Sequence, residues 1–118
     1  CHNGKLLGPD KAATSGLTYV PYDFDYSGLV DTPYAVPPED FGIKSVRTRY
    51  YRGACAQNAD IPRVAAHFRE RRAAAIDAVN ATPGMQPKTA TRAIKYLDDF
   101  YAEIADEGAV KKLLKRCR

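Results

Sequence analysis

Asp23 and Asp25 stand one residue apart in the run Val20-Pro21-Tyr22-Asp23-Phe24-Asp25-Tyr26-Ser27-Gly28, where a strand-like apolar segment gives way to a Ser-Gly turn. Two carboxylates at that spacing supply hard oxygen ligands, the kind that Mg²⁺, Mn²⁺ and Ca²⁺ take. The flanking Tyr22, Phe24 and Tyr26 suggest a rigid, partly apolar setting for them. Residues 23–28 also match the opening of an EF-hand loop, but its twelfth position, which needs a bidentate Glu, is Tyr34, preceded by Pro33. An EF-hand is excluded. The remaining metal reading is a phosphotransferase site, in which a strand ends in an Asp-aromatic turn and an upstream Asn carboxamide completes the ligand set for a cation on nucleotide phosphates. Asn3, just before the first apolar segment, occupies that upstream place. Two Asp in a turn can instead simply accept backbone N–H bonds.

The elements that must position these groups are legible in outline. Gly4, Gly8, Pro9, Gly16, Pro21, Gly28, Pro33, Pro37, Pro38 and Gly42 keep long helices out of the first half. Lys5–Leu7 and Leu17–Tyr22 read as a hairpin with a long loop, the second strand being an edge or ending at Pro21. Residues 29–42 read as an irregular loop, and Ser45–Arg52 as a short helix that Gly53 terminates.

From Asp60 onward the apolar spacing is helical. Ile61, Val64, Ala65, Phe68, Ala75, Ile76 and Val79 share one face of a helix capped by Asp60 and ended by Asn80, Pro83 and Gly84. A second helix, capped by Thr89, carries Ala93, Ile94, Leu97, Phe100, Tyr101 and Ile104, and Gly108 is expected to stop it in the left-handed conformation. A short last helix carries Val110, Leu113 and Leu114. The fold class expected is therefore α+β: a hairpin and long irregular loop packed on two main helices, with a short C-terminal helix.

With 118 residues the chain supports one domain, divided into a hairpin and Pro-rich part, 1–55, and a helical part, 56–118. Its net charge of +4 lies wholly in the second part, where twelve Lys and Arg face eight Asp and Glu. That surplus is mild and lacks the dense basic stripe of a nucleic-acid binder, so no nucleic-acid partner is expected. No apolar run reaches the ~18 residues that a membrane span requires.

Cys1, Cys55 and Cys117 lack zinc-site spacing; one disulfide and one odd thiol, in an exported chain, is the natural count, with the pairing left open. His2 and His67 read as bystanders. Arg47, Arg49 and Arg52, among Tyr50 and Tyr51, form either a phosphate clamp or ion pairs with Glu39, Asp40 and Asp60. Arg69, Arg71, Arg72 and the basic tail raise a third possibility, a helical adaptor for an acidic partner.

The segments His2-Asn3-Gly4-Lys5-Leu6-Leu7, Val20 through Val30 with Pro33-Tyr34-Ala35, and Ile43 through Arg47 with Tyr51-Arg52-Gly53 resemble a family of uncharacterised exported bacterial proteins. That family is similar in turn to CotH-type, protein-kinase-like proteins. The resemblance implies a kinase-like C-lobe fragment, periplasmic or secreted. It would take Mg²⁺ or Mn²⁺ and ATP in a longer parent, with Asn3 and Asp23 as the metal- and nucleotide-binding residues and Asp25 beside them. It also implies that the N-terminal half of that parent, with the nucleotide-binding Lys and catalytic-loop Asp, is the partner that makes phosphoryl or nucleotidyl transfer possible. Without it the chain is expected to be inactive. The alternative is a non-catalytic exported binding or structural protein that keeps the fold.

Overall fold

The computed structural model describes residues 3–118, so Cys1 and His2, and what was expected of them, lie outside the described residues. The chain is α+β, a two-stranded antiparallel hairpin followed by four α-helices. It divides into two compact units, Cys1–Val46 and Arg47–Arg118, the division falling earlier than the Cys55 boundary drawn from composition.

In the first unit β1 (Gly4–Leu7) pairs with β2 (Thr18–Pro21) in the register Gly4↔Pro21, Lys5↔Val20, Leu6↔Tyr19 and Leu7↔Thr18. The Tyr22 N–H donates to the Asn3 carbonyl at 3.0 Å, so pairing runs one step beyond the strands. Strand alternation puts Leu6 and Tyr19 on one face, Leu7 and Val20 on the other. All four are exposed, between 39% and 62%. Gly4 is required, because the Tyr19 ring lies where any Cβ at that position would be. After β2 the chain is irregular, with one 3₁₀ turn at Glu39–Phe41.

In the second unit Ser45–Arg52 is not the helix expected: a turn at Val46 and Arg47 leads into irregular chain. The side chains there decide this, since the Arg47 and Arg49 guanidiniums lie 4.7 and 4.2 Å from the Tyr96 ring centre and hold the segment along a later helix. The expected helix from Asp60 to Asn80 is two helices, α1 (Ile61–Glu70) and α2 (Arg72–Asn80), broken at Arg71. Packing explains the break: α1 packs on α4 (Glu107–Leu114) and α2 on α3 (Pro87–Glu103), and one straight apolar stripe cannot serve both. Arg69, donating to the Ile104 carbonyl at 2.9 Å, and Arg72, paired with Asp98 at 2.6 Å, anchor the chain on either side of it.

Two helix ends also differ from expectation. The α3 helix starts at Pro87, whose fixed φ suits the first helical position, so Thr89 lies within the first turn. Gly108 does not stop a helix; it lies in the first turn of α4. Asp106 takes over there, its carboxylate accepting the Ala109 N–H at 2.8 Å as an N-cap. A Cβ on Gly108 would come within 3.1 Å of that carboxylate, which is the reason for a small residue beside the cap.

The core is small. Ala65, Tyr101, Ile104 and Val110 are buried together, with Ile61, Leu97, Phe100, Leu113 and Leu114 packed around them. Val64 and Phe68, expected inside, are 37% and 46% exposed, although Phe68 meets Phe100 edge-on at 5.4 Å. Cys55 and Cys117 form a disulfide across a sequence separation of 62. Among the described residues no helix is long and apolar enough to cross a membrane.

Candidate functional site

Three residues proposed from sequence, Asn3, Asp23 and Asp25, fall at one end of the hairpin. Pairing carries β2 back to the start of β1, and the Asn3 Nδ2 donates to the Asp23 backbone carbonyl at 2.9 Å. The loop residue and the turn residue are thus neighbours though twenty positions apart. The amide nitrogen is the end committed to the turn; Oδ1 is the pole that a cation would take.

The turn itself is tight. Asp23 has φ of 59°, a left-handed conformation that Asp tolerates better than most residues, and its Oδ1 accepts the Asp25 N–H at 3.4 Å. That is the bracing role available to any turn Asp, and Asp23 performs it. Asp25 is held from the far side of the loop. Its Oδ2 accepts the Tyr34 hydroxyl at 2.6 Å and its carbonyl accepts the Thr32 hydroxyl at 2.9 Å. Donating to that carboxylate raises the Tyr34 phenol above its usual 10.0, with desolvation and the charges of Asp25 and Asp23 acting in the same direction and Thr32 against them. Tyr26 packs edge-on against Tyr34 at 6.1 Å, and Ser27 Oγ accepts the Val30 N–H at 3.2 Å.

The apolar setting expected around the carboxylates is not found. Tyr22, Phe24 and Tyr26 are 44%, 55% and 53% exposed, and both Asp residues are exposed. Two strands have no second layer to receive such rings. Tyr34 and Thr32 were missed as members of this cluster; the signal was a hydroxyl-bearing pair straddling Pro33 shortly after Asp25. Among the described residues no three His, Cys, Asp or Glu side chains converge to hold a metal ion. What converges is two carboxylates and one carboxamide, a set that fits a Mg²⁺- or Mn²⁺-type ion, which keeps several waters and takes one or two carboxylates plus phosphate oxygens. It does not fit Ca²⁺, which needs six to eight protein and water oxygens at once.

The arginines of 47–52 serve their own unit. Arg47 donates to the Arg92 carbonyl at 3.3 Å, and Arg49 bonds the Tyr96 carbonyl and approaches Glu103 at 3.7 Å. The acid that meets Arg49 is therefore Glu103 and not those expected; Asp60 pairs with Arg63 at 3.6 Å. His67 is exposed on α1. Of the basic group Arg69, Arg71 and Arg72, the first and last are engaged within the unit. No family model, curated protein or solved structure matches the chain.

Proposed function

We propose that this chain is the C-terminal part of a kinase-like exported protein, in which Asn3, Asp23 and Asp25 hold Mg²⁺ or Mn²⁺ for phosphoryl or nucleotidyl transfer from ATP. One observation carries the reading: the Asn3 carboxamide is bonded at 2.9 Å to the residue that presents the first carboxylate, the loop-to-turn juxtaposition that such a site requires. Bound there, the ion would neutralise phosphate oxygens. Asp23 would be the chief ligand, Asn3 would orient it, and Tyr34 would fix the rotamer of Asp25. The exposed apolar side chains on both faces of the hairpin support a further polypeptide layer, which in this reading is the N-terminal half of the parent. The Cys55–Cys117 disulfide supports an oxidising compartment, periplasmic or secreted.

One observation favours a second reading. Asp25 already accepts a phenol and Asp23 already braces its turn, so the same residues also suit a non-catalytic exported binding or structural protein.

Calorimetric titration of Mn²⁺, then of ATP with Mn²⁺ present, into the parent protein and its Asp23→Ala variant separates the outcomes. Mn²⁺ and ATP binding that both vanish in the variant is the result expected. Mn²⁺ binding without ATP binding selects the non-catalytic reading. Identical isotherms for both proteins remove the metal proposal.

A further inference from the structure

The disulfide of the second unit ties down more than two sulfurs. Arg118 N–H donates to the Gly53 carbonyl at 3.0 Å and Cys55 N–H to the Arg118 carbonyl at 3.1 Å, a two-bond ladder between the C-terminal residue and the segment before α1. The Arg118 guanidinium bonds the Tyr50 hydroxyl and lies 5.1 Å from the Tyr50 ring centre. Residues 48–51 in turn wall a cavity of about 330 Å³ against Tyr96, Phe100, Ile104 and Leu113. The covalent link therefore sits at the edge of a strap, and the strap covers a cavity.

The two sulfurs are not equivalent. Cys55 is exposed, in a 3₁₀ turn, and Cys117 is half-buried. Asn58 Nδ2 donates to the Cys117 Sγ at 3.5 Å, and Arg116 and Arg118 flank that residue in sequence. A thiolate expelled at Cys117 would gain a hydrogen bond and two adjacent positive charges, both of which lower the basicity of sulfur. Asn58 carries a second mark. Its Oδ1 is buried without a hydrogen-bond partner among the described residues. A disulfide offers no donor to it, whereas a thiol S–H does. The carboxamide suits either product of reduction, donating to a thiolate or, once rotated, accepting from a thiol.

We infer that Cys55–Cys117 is a redox clasp: an external thiol attacks Cys55, Cys117 leaves as the thiolate beside Asn58, and release of the C-terminal residues lets the 48–54 strap lift from its cavity. The step balances with a thiol reductant. The S–S bond breaks as a mixed disulfide forms at Cys55. A second thiolate of the reductant then takes the outer sulfur of that mixed disulfide, leaving two cysteine thiols and an oxidised, disulfide-linked reductant.

The test treats the oxidised chain with glutathione, traps free thiols with an alkylating agent and maps the products by peptide mass spectrometry. Glutathione on Cys55 with alkyl on Cys117 is expected, and reduction about three- to ten-fold slower in Asn58→Ala. Hydrogen exchange, measured in parallel on the fully reduced chain, should accelerate at 53–58 and 115–118 while α3 amides stay protected. Glutathione on Cys117, or shared evenly between the two, overturns the assigned direction. Loss of α3 protection together with the strap overturns the clasp and leaves a plain structural cross-link. The mapped site keeps the first point decidable should Asn58→Ala fold poorly.

Discussion

The hairpin unit and the helical unit solve opposite problems with the same chain. In the first, 46 residues gather the groups suited to chemistry, Asn3, Asp23, Asp25 and Tyr34, yet leave Leu6, Leu7, Tyr19, Phe24 and Val36 more than half exposed. In the second, Arg47–Arg118 gather a core and a disulfide, and spend their arginines on helix carbonyls and aromatic rings. Order in the first unit comes from turn hydrogen bonds, each worth about 1 kcal/mol net. Order in the second comes from apolar burial and a covalent link, which act together. The difference teaches that stability and candidate chemistry are carried by separate stretches, so mutations can address one without the other.

The strongest way to break that contrast is to remove the link. A loop of this length constrains the unfolded chain by about 4 kcal/mol in the chain-entropy account, and loss of a native disulfide from a small domain costs about 2–5 kcal/mol. Cys55→Ala/Cys117→Ala should therefore lower the helical transition, followed by circular dichroism during urea unfolding, by that amount. A change below about 1 kcal/mol would mean that the core of Ala65, Tyr101, Ile104 and Val110 suffices alone.

Next comes a matched pair of truncations. Ile104 is 4% exposed in the core and Leu6 is 62% exposed on the hairpin. Ile104→Ala should cost about 2–5 kcal/mol through lost transfer energy and a cavity, and Leu6→Ala less than about 0.5 kcal/mol, both by the same unfolding measurement. A large effect at Leu6 would show that something covers the hairpin face in solution.

Which parts were legible follows the same division. The stripes of α1 to α4 could be read because a 3.6-residue period is a local signal, and the hairpin because Gly and Pro bound its strands. The meeting of Asn3 with Asp23 followed from hairpin geometry alone. The break at Arg71 could not be read, since it depends on α1 and α2 having different partners. Nor could the exchange of Gly108 for Asp106 as the boundary, because Gly is compatible with both a helix stop and a crowded first turn. The disulfide was open among three cysteines, and only the return of the C-terminal residue to Gly53 selects Cys55 and Cys117. The exposure of Phe24 and Tyr26 was hidden for a different reason: aromatic residues signal burial only where a second layer exists to bury them.

The Asp106 cap offers a smaller, sharper test inside the helical unit. Asp106→Ala should cost about 1 kcal/mol, since the Ala109 N–H loses its acceptor, and Asp106→Asn should restore most of it. Full loss in both variants would assign the effect to charge at the helix start instead of the hydrogen bond.

The smallest effect is confined to the candidate site and has a defined sign. Tyr34 donates its proton to Asp25, and its pKa in the folded chain is raised above 10.0 chiefly by that bond. A group whose folded pKa is raised stabilises the fold below its unfolded pKa, and that contribution is lost as pH rises through the folded value. The turn should therefore hold unchanged through neutral pH and loosen only above pH 10, when the phenol ionises beside two carboxylates. Ultraviolet difference titration at the tyrosinate band should show one phenol ionising later than an ordinary tyrosine, absent from Tyr34→Phe and returned toward the ordinary range in Asp25→Asn. An unchanged curve in Tyr34→Phe would mean that the bond does not persist in solution. Asp25 would then be held by Thr32 alone, through its backbone, and its carboxylate would have no fixed direction to offer a cation.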